Sequence, residues 1–110
     1  MKFNKKKPVR TFTVGQGIEI KDCGEVFLSD DEQITFKSGN SEYDVCKKDW
    51  GYYATPSVNG RLKNFGFETY LVINKDSKMK YVLMVHSDKT DQFNDYLKTE
   101  NLAILQRLDN

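Results

Sequence analysis

Residues 67–108 read FETYLVINKDSKMKYVLMVHSDKTDQFNDYLKTENLAILQRL, and the fold turns on how that stretch divides. Phe67–Asn74 reads as a strand. Asn74-Lys75-Asp76-Ser77-Lys78 is polar and turn-forming. Met79–His86 follows, with Tyr81, Val82, Leu83, Met84 and Val85 all apolar, the composition of a central strand covered on both faces. The two runs predict an antiparallel hairpin. Ser87 or Asp88 then offers an N-cap, Asp91 an acid for the first turn, and Phe93, Tyr96 and Leu97 recur at i, i+3, i+4. Together they predict one helix over about residues 88–100, stopped at Asn101. Leu102–Leu108 reads as a last strand. The order makes a C-terminal β-β-α-β unit. Its strands on either side of the helix should run parallel, joined by a right-handed crossover with the helix on one face.

Toward the N-terminus the period of two dominates. Thr11–Val14 reads as a short strand, broken by Gly15-Gln16-Gly17. Ile18 and Ile20 share a face opposite Glu19 and Lys21, and Glu25–Leu28 is another short run. Gln33–Lys37 and Glu42–Cys46 flank the turn formers Ser38-Gly39-Asn40-Ser41 and predict a second hairpin, with Ile34, Phe36, Tyr43 and Val45 facing the core. The expected class is α+β, mainly antiparallel sheet with one helix.

A chain of 110 residues makes a single domain, 1–110, with a core able to form without staples. Apolar residues are 38% and charged residues 30%, as in a folded domain with a wet surface. Net charge is +1, which asks for no polyanionic partner. The distribution is less even: Lys2, Lys5, Lys6, Lys7 and Arg10 make residues 1–10 a basic arm, read as a frayed terminus. No run reaches the roughly 18 apolar residues of a membrane span, and no apolar segment follows the basic start as a secretory signal requires. Cytoplasmic residence and no membrane contact are therefore expected. Cys23 and Cys46 have no metal-binding spacing and read as reduced packing residues.

Residues 47–66 carry no sustained period. Within them Trp50-Gly51-Tyr52-Tyr53-Ala54-Thr55-Pro56-Ser57-Val58-Asn59-Gly60-Arg61-Leu62 gathers the one tryptophan, two adjacent tyrosines, short hydrogen-bonding side chains and an arginine. Aromatic faces beside short polar groups and a guanidinium suit recognition of a polar ligand or a protein surface. Pro56 restricts Thr55 to an extended shape, which lowers the entropy lost on binding. The candidate binding residues are Trp50, Tyr52, Tyr53, Thr55, Ser57, Asn59, Arg61 and Lys63. The competing expectation is structural: such rings often plug the edge of a core.

Catalytic signals are sparse. His86 is the only histidine, at the end of a strand, and a lone histidine there is more often a satisfied ring than a catalyst. One histidine and two isolated cysteines give too few ligands for a transition metal, and Asp30-Asp31-Glu32 lacks the spacing of a calcium loop. Gly15-Gln16-Gly17 precedes a strand where a phosphate-binding loop needs a helix. No catalytic residue, metal or cofactor is assigned. The expected function is a non-catalytic accessory or binding module acting through residues 50–63. Two alternatives stand beside it. One is an RNA or single-stranded DNA binder using Lys2–Arg10, Arg61 and Lys63, against which 14 of 17 basic residues are lysine. The other is a small enzyme with a cleft beside the same loop. An open sheet edge also allows a homodimer.

Overall fold

The computed structural model describes residues 1–110. Its elements, in chain order, are β1 (Lys2–Val14), β2 (Ile18–Phe27), β3 (Gln33–Ser38), β4 (Ser41–Lys48), β5 (Gly51–Ala54), α1 (Arg61–Asn64), β6 (Phe67–Asn74), β7 (Lys80–His86), α2 (Thr90–Thr99) and β8 (Leu102–Arg107). The helices hold 4 and 10 residues, so the fold is mainly antiparallel β with little helix, rather than a balanced α+β arrangement. No helix is long and apolar enough to cross a membrane. The residues group into two compact units. One comprises Met1–Ile34 and Val45–Tyr53, the other Thr35–Asp44 and Ala54–Asn110. The sheet β3-β4-β5 has members in both.

In the first unit, residues expected to fray are instead strand. β1 pairs antiparallel with β2 from Val14↔Ile18 down to Lys2↔Phe27 across the Gly15-Gln16-Gly17 turn. The register shifts where Lys5 pairs with Gly24 but Arg10 with Asp22, so Lys6–Val9 stand opposite Cys23 alone. This bulge removes the alternation that would have announced a strand. Its charge is answered locally: Lys6 Nζ donates to Asp22 Oδ2 at 2.6 Å, and Arg10 Nε lies 3.6 Å from the same oxygen. The Lys6 hydrogen bond holds the Asp22 carboxyl below its ordinary range. Beside the bulge the strands approach closely, and a Cβ on Gly24 would lie 2.4 Å from the Asn4 carbonyl oxygen. Cys23 is exposed rather than a packing residue; Cys46 is buried, and both are free thiols.

The acidic stretch after β2 is a turn fastened by lysines. Asp31 N donates to Lys47 O at 2.8 Å and Lys47 N to Glu32 O at 3.0 Å. Lys47 Nζ reaches Asp30 Oδ1 at 2.6 Å, and Lys48 Nζ pairs with Asp31. Glu32 accepts from Ser29 N at 2.7 Å and pairs with the N-terminal amine at 3.1 Å. The Ser29 hydrogen bond, then that amine, lower its carboxyl below the ordinary range.

The second unit holds the C-terminal β-β-α-β order, as β6-β7-α2-β8. Its sheet runs β7-β6-β8, with β6 antiparallel to both neighbours. β7 and β8 therefore point the same way, as expected, but β6 lies between them. β7, apolar from Tyr81 to Val85, is an edge strand and not the central one; Tyr81 and Val82 are exposed. Val72, Val85, Phe93 and Leu102 form the core, with Tyr70, Leu83 and Leu97 against it. The Tyr70 and Phe93 rings tilt together at 5.1 Å. Tyr96, expected in the buried stripe, is exposed. On the other face, alternation places Thr69, which is buried, and α1 packs against β6 through the buried Leu62.

The helix begins later than predicted. Ser87 N donates to Gly66 O at 2.8 Å, which keeps Ser87 on the last rung of the sheet, and Lys89 takes the N-cap position with no side-chain cap. Asn101 ends the helix in the left-handed region at φ 56°. Its Nδ2 donates to Asp76 Oδ2 at 2.7 Å, while Asn74 Nδ2 donates to Glu100 O at 3.1 Å, so the β6–β7 turn is tied to the helix end. The C-terminus is locked by a fork: Arg107 Nε and Nη2 donate to the buried Asp109 at 2.7 and 3.0 Å, and Nη2 lies 3.2 Å from Glu68. The Arg107 fork lowers the Asp109 carboxyl.

The β3–β4 turn falls at Gly39-Asn40 as the sequence predicts. The buried face of this hairpin differs from expectation. Phe36 is exposed, and Ile34, Tyr43 and Val45 are half-buried, whereas Ser41, Asp44 and Cys46 are the buried residues. Alternation finds two faces but does not say which is covered. Here Asp44 is accommodated because its polar atoms are engaged.

Candidate functional site

The predicted binding stretch divides between the units: Trp50, Tyr52 and Tyr53 belong to the first, Thr55, Ser57, Asn59, Arg61 and Lys63 to the second. In the first, β4 ends at Lys48 and the two-residue turn Asp49-Trp50 leads into β5. A turn this short leaves the Trp50 indole no neighbour on its own turn to fold beneath, and it is 68% exposed. It stacks on Tyr53, itself 43% exposed, with ring centroids 5.9 Å apart and planes 24° from parallel. Tyr52, also exposed, alternates with Tyr53 along β5 and so faces the other side of the strand. The rings are therefore not core plugs. The lysines at the end of β4 are engaged by the acidic turn, and the Asp30 and Asp31 hydrogen bonds push the Lys47 and Lys48 amines up.

In the second unit the stretch is more ordered than its composition suggests. Pro56 and Leu62 are fully buried and pin both ends of a tight loop. Ser57 O accepts from Gly60 N at 3.2 Å and from Leu62 N at 3.1 Å, closing that loop into α1. A Cβ on Gly60 would lie 2.3 Å from Ser57 Oγ, so only glycine fits the closure without moving Ser57. Ser57, Asn59, Arg61 and Lys63 are exposed, and Thr55 is half-buried. Arg61 has partners of its own: Nη2 lies 3.4 Å from Asp44 Oδ2 and 3.4 Å from Thr55 Oγ1, and its guanidinium sits 5.9 Å from the Phe65 ring centroid.

Asp44 is the residue that sequence reasoning missed. Buried on β4, it accepts from Thr35 Oγ1 at 2.5 Å and pairs with Arg61, while its backbone oxygen accepts from Thr55 N at 3.0 Å. The sequence carries no signal for it: with Tyr43 and Val45 read as inward, alternation puts Asp44 on the outer face, and its burial appears only with its Thr35 and Arg61 partners. Arg61 is thus partly a structural counter-ion, with its Nη2 facing Asp44 and Thr55.

A second polar concavity lies in the same unit. A cleft of about 370 Å³ is lined by His86, Ser87, Asp88, Ser41, Phe65 and Gly66, among others. His86 is half-buried, its ring 4.7 Å from that of Phe67. The Ser41 hydroxyl donates to Ser38 O at 2.7 Å, so it is turned toward the backbone rather than held by a base. None of the eight predicted binding residues lines this cleft.

No protein-family model, curated protein or solved structure matches the chain.

Proposed function

We propose that this protein is a non-catalytic binding module whose contact surface is centred on the stacked Trp50–Tyr53 ring pair, and that its partner is a protein surface. The supporting observation is the stacked Trp50–Tyr53 pair, exposed on a two-residue turn and the strand it leads into. Tryptophan and tyrosine dominate the energetic centres of protein interfaces, and they lose few rotamers on docking. A pair already stacked loses fewer still. What favours protein over a polynucleotide is the state of the neighbouring cations. Lys47 and Lys48, at the end of β4, are each paired with an aspartate, which leaves less positive charge beside the rings to displace counterions from phosphate. Arg61 contributes less than the sequence implies, because Asp44 already engages it.

The test uses the lone tryptophan as its reporter. A cross-linking capture compares wild type with a Trp50→Ala/Tyr53→Ala variant whose circular dichroism matches it. Proteins retained by wild type and lost by the variant, confirmed by indole quenching when purified, are expected. Quenching by single-stranded oligonucleotides that falls steeply with salt, with no protein dependent on the rings, would replace this reading with the nucleic-acid one.

A further inference from the structure

The two edges of the β7-β6-β8 sheet are built differently. On β8, Leu71 pairs with Gln106 but Val72 with Ile104, so Leu105 is a bulge, and the strand ends in Arg107. A bulge and a charge are the ordinary devices that stop an edge from pairing with another strand. β7 has neither along its middle. Its register with β6 runs unbroken from Phe67↔His86 to Ile73↔Lys80, and Tyr81–Val85 contains no charge and no proline. Its other side carries no strand of this chain. Tyr81 and Val82, on opposite faces of the strand, are 47% and 58% exposed.

We infer that β7 pairs antiparallel with β7 of a second copy, joining two three-stranded sheets into one of six strands across a two-fold axis. The occupant follows from the strand itself. A two-fold axis perpendicular to the sheet sets residues of the same face opposite one another. Centred on the exposed Val82, it sets Val82 against Val82, Tyr81 against Leu83 and Lys80 against Met84. Apolar meets apolar along the strand, and its one Lys meets no like charge. Free backbone donors and acceptors on β7 are satisfied by the same groups of its copy. A second copy always brings this same strand with the same open edge. One strand pair buries less than a standard interface, so the dimer is concentration-dependent. This inference is independent of the aromatic cluster, since its readout needs no partner protein.

Sedimentation equilibrium of the whole chain from roughly 1 μM to 1 mM tests it, a range that spans weak dimers. The wild-type mass is expected to rise from 12.8 kDa toward twice that value. Val82→Glu sets two carboxylates opposite each other and is expected to weaken association roughly tenfold or more. Tyr81→Lys, from the other face, removes the ring set against Leu83 and is expected to weaken association by a smaller factor, so the result does not hang on the folding of one variant. Leu105→Glu, at a residue 49% exposed on the bulged edge, keeps wild-type association. The inference is overturned if wild type stays monomeric throughout, if either β7 variant associates like wild type, or if Leu105→Glu dissociates the dimer equally.

Discussion

The β1–β2 ribbon and the β7-β6-β8 sheet are both antiparallel, yet different forces hold them. The sheet turns one face to α2, and Val72, Val85, Phe93 and Leu102 leave water together. No side chain of the ribbon is fully buried. Phe12, Val14, Ile18 and Ile20 share one of its faces, but all keep some contact with solvent. Its cohesion comes from ladder hydrogen bonds, close backbone approach at Gly24 and charge pairs such as Lys6–Asp22. A two-stranded hairpin is marginal by such means, and exposed ion pairs add little. A shared secondary structure thus conceals a division between a part stabilised by area and a part stabilised by register.

That division breaks most visibly at Phe93. Phe93→Ala removes the ring between α2 and Tyr70 and is expected to cost about 3–5 kcal/mol in urea unfolding followed by circular dichroism. A loss below about 1 kcal/mol would mean that the helix is not what stabilises this sheet. The ribbon fails differently. Gly24→Val places a Cβ against the Asn4 carbonyl, a backbone atom that yields only if the strands part. The expected effect is local and about 1–3 kcal/mol, the usual cost of overpacking. Hydrogen exchange is its measure: amides of Lys2–Lys5 lose protection while those of Thr69–Val72 keep theirs. Equal loss in both regions would show that the ribbon and the sheet unfold as one.

The same contrast explains what the sequence disclosed. The C-terminal unit was legible because its apolar runs, the polar turn between them and the helical stripe follow one another in order, and their partners are near in sequence. The place of β7 in its sheet was not. Five consecutive apolar residues signal burial on both faces, but edge position depends on where β8 inserts, and that is set by β6. The N-terminal strand was illegible for a different reason: Lys6–Val9 bulge out of register, so the alternation fails where pairing with β2 continues. At the candidate site, rings gathered without a period leave open whether Trp50, Tyr52 and Tyr53 face solvent or plug a core edge, and only the fold shows them exposed. The burial of Pro56, Leu62 and Asp44 likewise depends on neighbours brought in by the fold. A lone aspartate on an alternating strand reads as solvent-facing unless its Thr35 and Arg61 partners are known.

Acid separates the two regions by a smaller margin. Asp22 and Glu32 in the ribbon's unit, and Asp109 in the sheet's, all titrate below their ordinary values in the folded chain. A carboxylate lowered on folding contributes stability that is whole above its unfolded value, near pH 4, and is lost as pH falls through its folded value. Neutral and mildly acidic solutions should therefore leave both regions intact, and weakening should set in only below about pH 4. The ribbon should loosen first, because its charge pairs have no buried core behind them, whereas Val72 and Phe93 do not titrate. Carbon-detected NMR of the side-chain carboxyls is expected to place Asp22, Glu32 and Asp109 each below its ordinary value. In Lys6→Met, Asp22 alone should return toward its ordinary value, since the Lys6 hydrogen bond is the largest cause of its shift. If Asp22 keeps its low value in that variant, the ribbon's bulge is held by something other than the charge pair.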